Sequence, residues 1–178
     1  MPAQPIFYPV LNKDYATQIA RDWNTKDENS EFAGFVLEFE IEDLYISKFE
    51  IHQAGSAVHQ EFWIPAEELD LFNQNIQKNI LLVESYYGKD YIGKPLINTP
   101  LRNKDYHDQM ICFRSLKESN AMDYTCEVLA QWKIISQNYF LWRKNDFLSS
   151  DICNSDKENL LESMRKILKE NIKWFIKE

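Results

Sequence analysis

The run from Gly34 to Glu42 constrains this chain most, because it alternates residue by residue. Phe35, Leu37, Phe39 and Ile41 fall on one side, and Val36, Glu38, Glu40 and Glu42 on the other. A period of two with one acidic face predicts a strand with one side in a core and the other in water. Such a strand needs partners, and the residues around it supply them. Ile6-Phe7-Tyr8, bracketed by Pro5 and Pro9, reads as an edge strand within residues 2–10, since proline is tolerated at a sheet edge. Phe49 to Gln53 and Ala57 to Ile64 flank Ala54-Gly55-Ser56 as a hairpin. Ile80 to Val83 is a short apolar run of the kind a buried strand shows.

Helical signals are interleaved with these strands. Asn12 is placed to cap a helix, with Asp14 in its first turn, and Tyr15, Ile19 and Trp23 recur at helical spacing with Ala16 and Ala20 beside them, making one apolar face. Asp43 to Ser47 has the length of one helical turn. Pro65 reads as the first residue of a further helix whose inward stripe is Leu69, Phe72 and Ile76.

Beyond Gly88 and Gly93 the pattern changes. A turn-rich stretch through Pro95 and Pro100 leads into helical spacing at Val128, Leu129, Trp132, Ile135 and Tyr139. Ser155 and Glu158 make an S-x-x-E capping box. The stripe behind it, from Leu160 and Leu161 through Met164 and Leu168 to Ile172 and Phe175, predicts an amphipathic helix to the C-terminus. The expected fold is α+β: a small, mostly antiparallel sheet with flanking helices over residues 1–88, then a mainly helical region over 89–178 packed on the first.

Charge narrows the partner. With 28 acidic and 20 basic side chains the net charge is −8, which disfavours phosphate backbones and anionic lipid surfaces. A basic protein is the partner this sign suits; the same charge also serves solubility. Cys112, Cys126 and Cys153 are odd in number, widely spaced and without a C-x-x-C pair. They read as free core thiols in a reducing compartment. No apolar run reaches spanning length and no secretory leader is visible, so the expected location is the cytoplasm.

Chemistry has few candidates. There is no glycine-rich phosphate loop, nucleophile elbow or zinc motif. His52 and His59 are placed to face each other across the hairpin, but two imidazoles lack a third ligand, so no metal is expected. The sharper candidate is His59-Gln60-Glu61-Phe62-Trp63-Ile64-Pro65, which sets Glu61, His59 and Trp63 on one strand face. A carboxylate there can orient a ribose hydroxyl or steady positive charge at a sugar carbon. It can equally be a solvent-facing glutamate beside a packing tryptophan.

Several runs carry a resemblance: Gln4 to Asn12, Tyr15-Ala16, Ile19 to Asn24, Phe35-Val36 to Phe39-Glu40, and His59 to Leu69 with Phe72-Asn73 and Ile76. Together they resemble short bacterial proteins labelled ADP-ribosylation/crystallin, over roughly residues 4–85. The resemblance implies a divergent ADP-ribosyltransferase-like fold in which Glu61 is the catalytic carboxylate and Tyr8 lies near the nicotinamide pocket, with NAD as cofactor. Relatives begin with an additional strand carrying a Tyr-Arg-Pro-like motif, and this sequence opens just after it. His59 also stands where many such transferases carry Gln or Glu. The expectation that follows is a non-catalytic protein without cofactor that binds a basic protein, such as an immunity protein on a toxin. The alternative is an enzyme using Glu61 on NAD or an ADP-ribosyl substrate.

Overall fold

The computed structural model describes residues 5–95, 104–145, 152–172 and 174–176. Residues 2–4 of the expected entry strand and the stretch around Pro100 lie outside them. The chain divides into two compact units, Met1–Tyr86 and Tyr87–Glu178. The fold is α+β, with small antiparallel pairs in the first unit and helices through the second. Among the described residues no helix is long and apolar enough to cross a membrane.

In the first unit β1 (Ile6–Phe7) leads to α1 (Lys13–Gln18), whose first turn is closed by the Asn12 side chain accepting from the Tyr15 N–H at 2.8 Å. The helix then widens into a π-helical turn over Ile19–Trp23. This corrects the expected Tyr15–Ile19–Trp23 face. The wider i→i+5 bonding of a π turn keeps Ala20 buried with Tyr15, as the expected face had it, but turns Trp23 out to solvent.

Strand β2 (Ala33–Glu38) follows, shorter than the alternating run and with its faces exchanged. Ala33, Gly34 and Val36 are buried, whereas Leu37 is exposed. The cause is Gly34: a Cβ there would collide with the Ala20 carbonyl, so its absence lets the π turn lie directly on this face. Only past the strand end do Phe39 and Ile41 point into the core as expected.

After α2 (Asp43–Ile46) comes a hairpin of β3 (Ile51–Gln53) and β4 (Gln60–Phe62), paired antiparallel with His52 opposite Glu61. Residues 9–11 run along the other edge of β4, the Phe62 N–H donating to the Pro9 carbonyl and the Leu11 N–H to that of Gln60. Then β5 (Ile64–Pro65) pairs antiparallel with β1. Pro65 therefore ends a strand and does not begin a helix. The helical course starts with a 3₁₀ turn at Ala66–Glu68 and becomes α3 at Leu69–Gln74. The core gathers on Phe72, which meets Phe7, Phe39 and Tyr45 edge-on at 5.4, 5.8 and 6.2 Å. Strand β6 (Ile80–Tyr87) lies beside β2.

The second unit contains α4 (Tyr106–Ser119), α5 (Ala121–Ala130), α6 (Trp132–Lys144), α7 (Asn154–Asn171) and β7 (Trp174–Ile176). Its core holds Met110, Phe113, Val128, Ile135, Trp142, Leu161, Met164 and Leu168, each essentially inaccessible. Two expectations fail at α7. Its N-cap is Cys153, whose side chain caps no helix N–H, and Ser155 sits inside the first turn, its hydroxyl 2.9 Å from the Cys153 sulfur, so the capping box is not formed. The helix also stops at Asn171, where Ile172 turns extended and the chain becomes β7. The thiols are free, but Cys126 and Cys153 are exposed and only Cys112 is half-buried, so they are not core residues.

Buried polar groups tie the helices together. The Asn138 amide donates to the Lys94 carbonyl at 2.8 Å and to Gln109 Oε1 at 3.2 Å, and its oxygen accepts from the Tyr91 hydroxyl. Lys157 is buried as well, its ammonium donating to the Arg143 and Asn145 carbonyls at the end of α6, at 3.2 and 3.1 Å.

Candidate functional site

The four residues singled out in the sequence, Tyr8, His59, Glu61 and Trp63, lie in one continuous cluster in the first unit. Strand β4 turns Phe62 toward the core and Glu61 to the opposite face. Glu61 is only 8% exposed. One oxygen accepts from the Trp63 indole N–H at 2.9 Å and the other from the Tyr15 hydroxyl at 3.3 Å. A solvent-facing glutamate is thereby ruled out. A carboxylate withdrawn from water requires such donors, and Tyr15 bears the complementary effect: burial first, then the Glu61 charge, pushes its hydroxyl above the ordinary range.

The rings around this carboxylate are ordered. His52 stacks on Trp63 at 4.2 Å and 18°, and Tyr8 meets the same indole edge-on at 6.0 Å. His59 stacks on Tyr15 at 4.3 Å, and Trp23 meets Tyr15 edge-on at 6.3 Å. The two histidines do not face each other. The β3–β4 register sets His52 opposite Glu61, so each ring finds a different aromatic partner. His59 places Nδ1 at 3.2 Å from the Ala54 carbonyl and Nε2 at 2.8 Å from the Gln18 side chain.

This geometry holds an indole in place. Trp63 is pinned by hydrogen bond, stack and edge contact, yet it remains 44% exposed, with Tyr8 beside it at 41%. His59, both ring nitrogens engaged and its face covered, supports Tyr15 from behind. Tyr15 and His52 were not anticipated as members of the cluster. The hairpin register, had it been fixed, would have revealed His52; Tyr15 is 46 positions from Glu61 and carried no local signal.

A cavity of about 230 Å³ lies elsewhere in this unit, lined by apolar residues that include Val36, Phe39, Phe62 and Phe72, and Glu61 is not among its walls. Among the described residues, Asp105, His107 and Asp108 in the second unit are the group whose ligand atoms come close enough for a metal ion, within 4.8 Å of one another. The Asp105 carboxylate already accepts from the His107 and Asp108 N–H groups at 2.9 and 2.8 Å, as the cap of α4.

No protein-family model, curated protein or solved structure matches this chain.

Proposed function

We propose that this is a non-catalytic cytoplasmic protein whose first unit binds a basic protein through the Trp63–Tyr8–His52 surface. Residues 1–86 carry 15 acidic and 5 basic side chains, whereas residues 87–178 carry 13 and 15. The whole negative excess therefore sits on the unit that presents the fixed indole. Exposed, pre-ordered tryptophan and tyrosine are the side chains that dominate binding energy at protein interfaces, and complementary charge accelerates encounter with a basic partner. The observation that carries the reading is Trp63, held by the buried Glu61 carboxylate but open to solvent on its outer side. An immunity protein that covers the basic surface of a toxin is the concrete form of this function.

Affinity capture from bacterial lysate with the wild-type protein and with Trp63→Ala tests it. A basic protein retained at stoichiometric level by the wild type and lost by the variant is the expected result. Retention by both forms, or by neither, counts against it.

The second reading, a transferase using Glu61 on NAD, draws on the burial of that carboxylate between an indole and a phenol. It requires that the donors give way to a substrate. Nicotinamide release by the wild type that disappears in Glu61→Gln would establish it; no release from either ends it.

A further inference from the structure

Trp63 has committed its one polar atom. Its Nε1–H donates to Glu61 at 2.9 Å, and His52 lies stacked on the ring at 4.2 Å and 18°. What the exposed part of the side chain offers to a ligand is ring carbon and its π density. The Tyr8 ring, also exposed, stands at 86° to the indole, so two aromatic rings meet in an open corner. Such a surface takes either an apolar group or a cation, because the face of an aromatic ring is negatively polarised. Glu61 decides between them. Its two oxygens accept from Trp63 and Tyr15, both neutral donors, and among the described residues no lysine or arginine is paired with it. A carboxylate withdrawn from water thus lies in hydrogen-bond contact with the indole edge and polarises the ring further. A cation laid on the open ring carbon gains from the π surface and from that charge together. A neutral apolar group gains from neither.

We propose that the Trp63–Tyr8 corner receives an arginine side chain of the basic protein partner, its guanidinium laid on the indole with Glu61 as the countercharge behind the ring edge. The inference rests on the protein-binding reading and names the partner group that meets Trp63. Arginine is favoured over lysine because a guanidinium is planar and weakly hydrated, so it stacks on a ring and leaves water at lower cost. His52 already shows that this indole takes a flat partner in parallel. Glu61 forms no ion pair with the guanidinium in this arrangement. It is a positioning residue, which fixes the indole through one hydrogen bond and sets the sign of charge the ring prefers.

The test uses the full-length ¹⁵N-labelled protein and two capped tripeptides, acetyl-Gly-Arg-Gly-amide and its citrulline counterpart, which has nearly the same shape without the charge. The Trp63 indole N–H resonance, identified by its loss in Trp63→Phe, is the reporter. The arginine peptide is expected to shift it saturably, with a Kd on the order of tens of millimolar for so small a probe. The citrulline peptide should bind about fivefold more weakly, through loss of the cation–π attraction and of the attraction to Glu61. Glu61→Gln keeps an acceptor for the indole but not the charge, so it should weaken the arginine peptide about threefold and leave the citrulline peptide unchanged. Tyr8→Leu, at an exposed position, should weaken the arginine peptide about twofold by removing the second ring. Absence of a saturable shift with the arginine peptide overturns the proposal. Equal binding of the two peptides does so too, since the corner would then be an apolar surface indifferent to charge. An arginine preference undiminished in folded Glu61→Gln removes the countercharge and overturns the proposal as stated. The comparison of the two peptides needs only the wild type, so it decides the matter even where Glu61→Gln fails to fold. Failure here is separable from failure of the interface. Capture of a basic protein that is lost in Trp63→Ala, with no arginine preference in the peptides, keeps the binding function and removes the guanidinium from this corner.

Discussion

The two units treat their aromatic side chains in opposite ways. In the second, Phe113, Tyr124 and Trp142 meet edge-on inside a helical core, with Phe113 at 6.4 Å from Tyr124 and 6.2 Å from Trp142. In the first, Phe7, Phe39 and Tyr45 pack on Phe72, but Tyr8, Trp23 and Trp63 are left in water. Among the described residues these three are the exposed aromatic side chains of the protein. Charge divides the same way, with net −10 on residues 1–86 and +2 on residues 87–178. Buried polar groups differ in purpose as well. Asn138, Gln109 and Lys157 bind helix ends and loops together, whereas Glu61 is spent on orienting a surface indole. The contrast teaches that one unit buries its large side chains in its core while the other leaves a share of them at the surface, where the proposed partner would meet them.

The contrast breaks most severely at Trp142. Trp142→Ala should cost about 4 kcal/mol, the range for emptying an aromatic core position, and chemical denaturation followed by far-UV circular dichroism will show the helical signal lost at lower urea. In the first unit the corresponding vulnerability is backbone proximity: Gly34→Ala should cost about 3 kcal/mol, because its Cβ meets the rigid Ala20 carbonyl. The same denaturation experiment measures it. Trp63→Ala sharpens the comparison from the other side. It should cost about 2 kcal/mol of stability, because the buried Glu61 carboxylate loses its indole donor, and weaken partner binding about thirtyfold, as for an interface hot spot; calorimetric titration with the captured partner reads this directly. Glu61→Gln retains an acceptor for the indole but removes the charge, and should cost about 1 kcal/mol of stability.

The smallest effect is electrostatic. The hydrogen bond from Lys13, with those from Tyr86 and Thr17, holds the Glu84 carboxyl below the usual carboxylate range against the opposing effect of burial. A carboxyl depressed in the folded state contributes stability above its unfolded pKa, and that contribution vanishes as pH falls through the folded value. Lys13→Met should therefore raise the Glu84 titration in carbon-detected NMR. The stability difference between the two proteins should be present at neutral pH and close in acid.

The element types were legible in the sequence where one local rule governed them. Asn12 capped its helix, Asp43–Ile46 formed its turn and the two halves divided into strand-rich and helical parts. Faces and ends were less legible, because tertiary contacts decided them. Alternation from Gly34 to Glu42 could not reveal that the π turn would cover the Gly34–Val36 side. Ser155 satisfied the capping pattern, yet the helix began at Asn154. In the cluster, the two-residue spacing put Trp63 beside Glu61, but the donor from Tyr15 and the stack from His52 depend on pairing across 46 positions and on the hairpin register.

The buried ammonium of Lys157 gives the molecule a chemical clock. An amine-reactive reagent modifies surface lysines at once, whereas this one, locked onto the Arg143 and Asn145 carbonyls, can react only when α6 and α7 separate. Its rate of labelling, read by mass spectrometry of a single peptide, therefore reports how often the helices part.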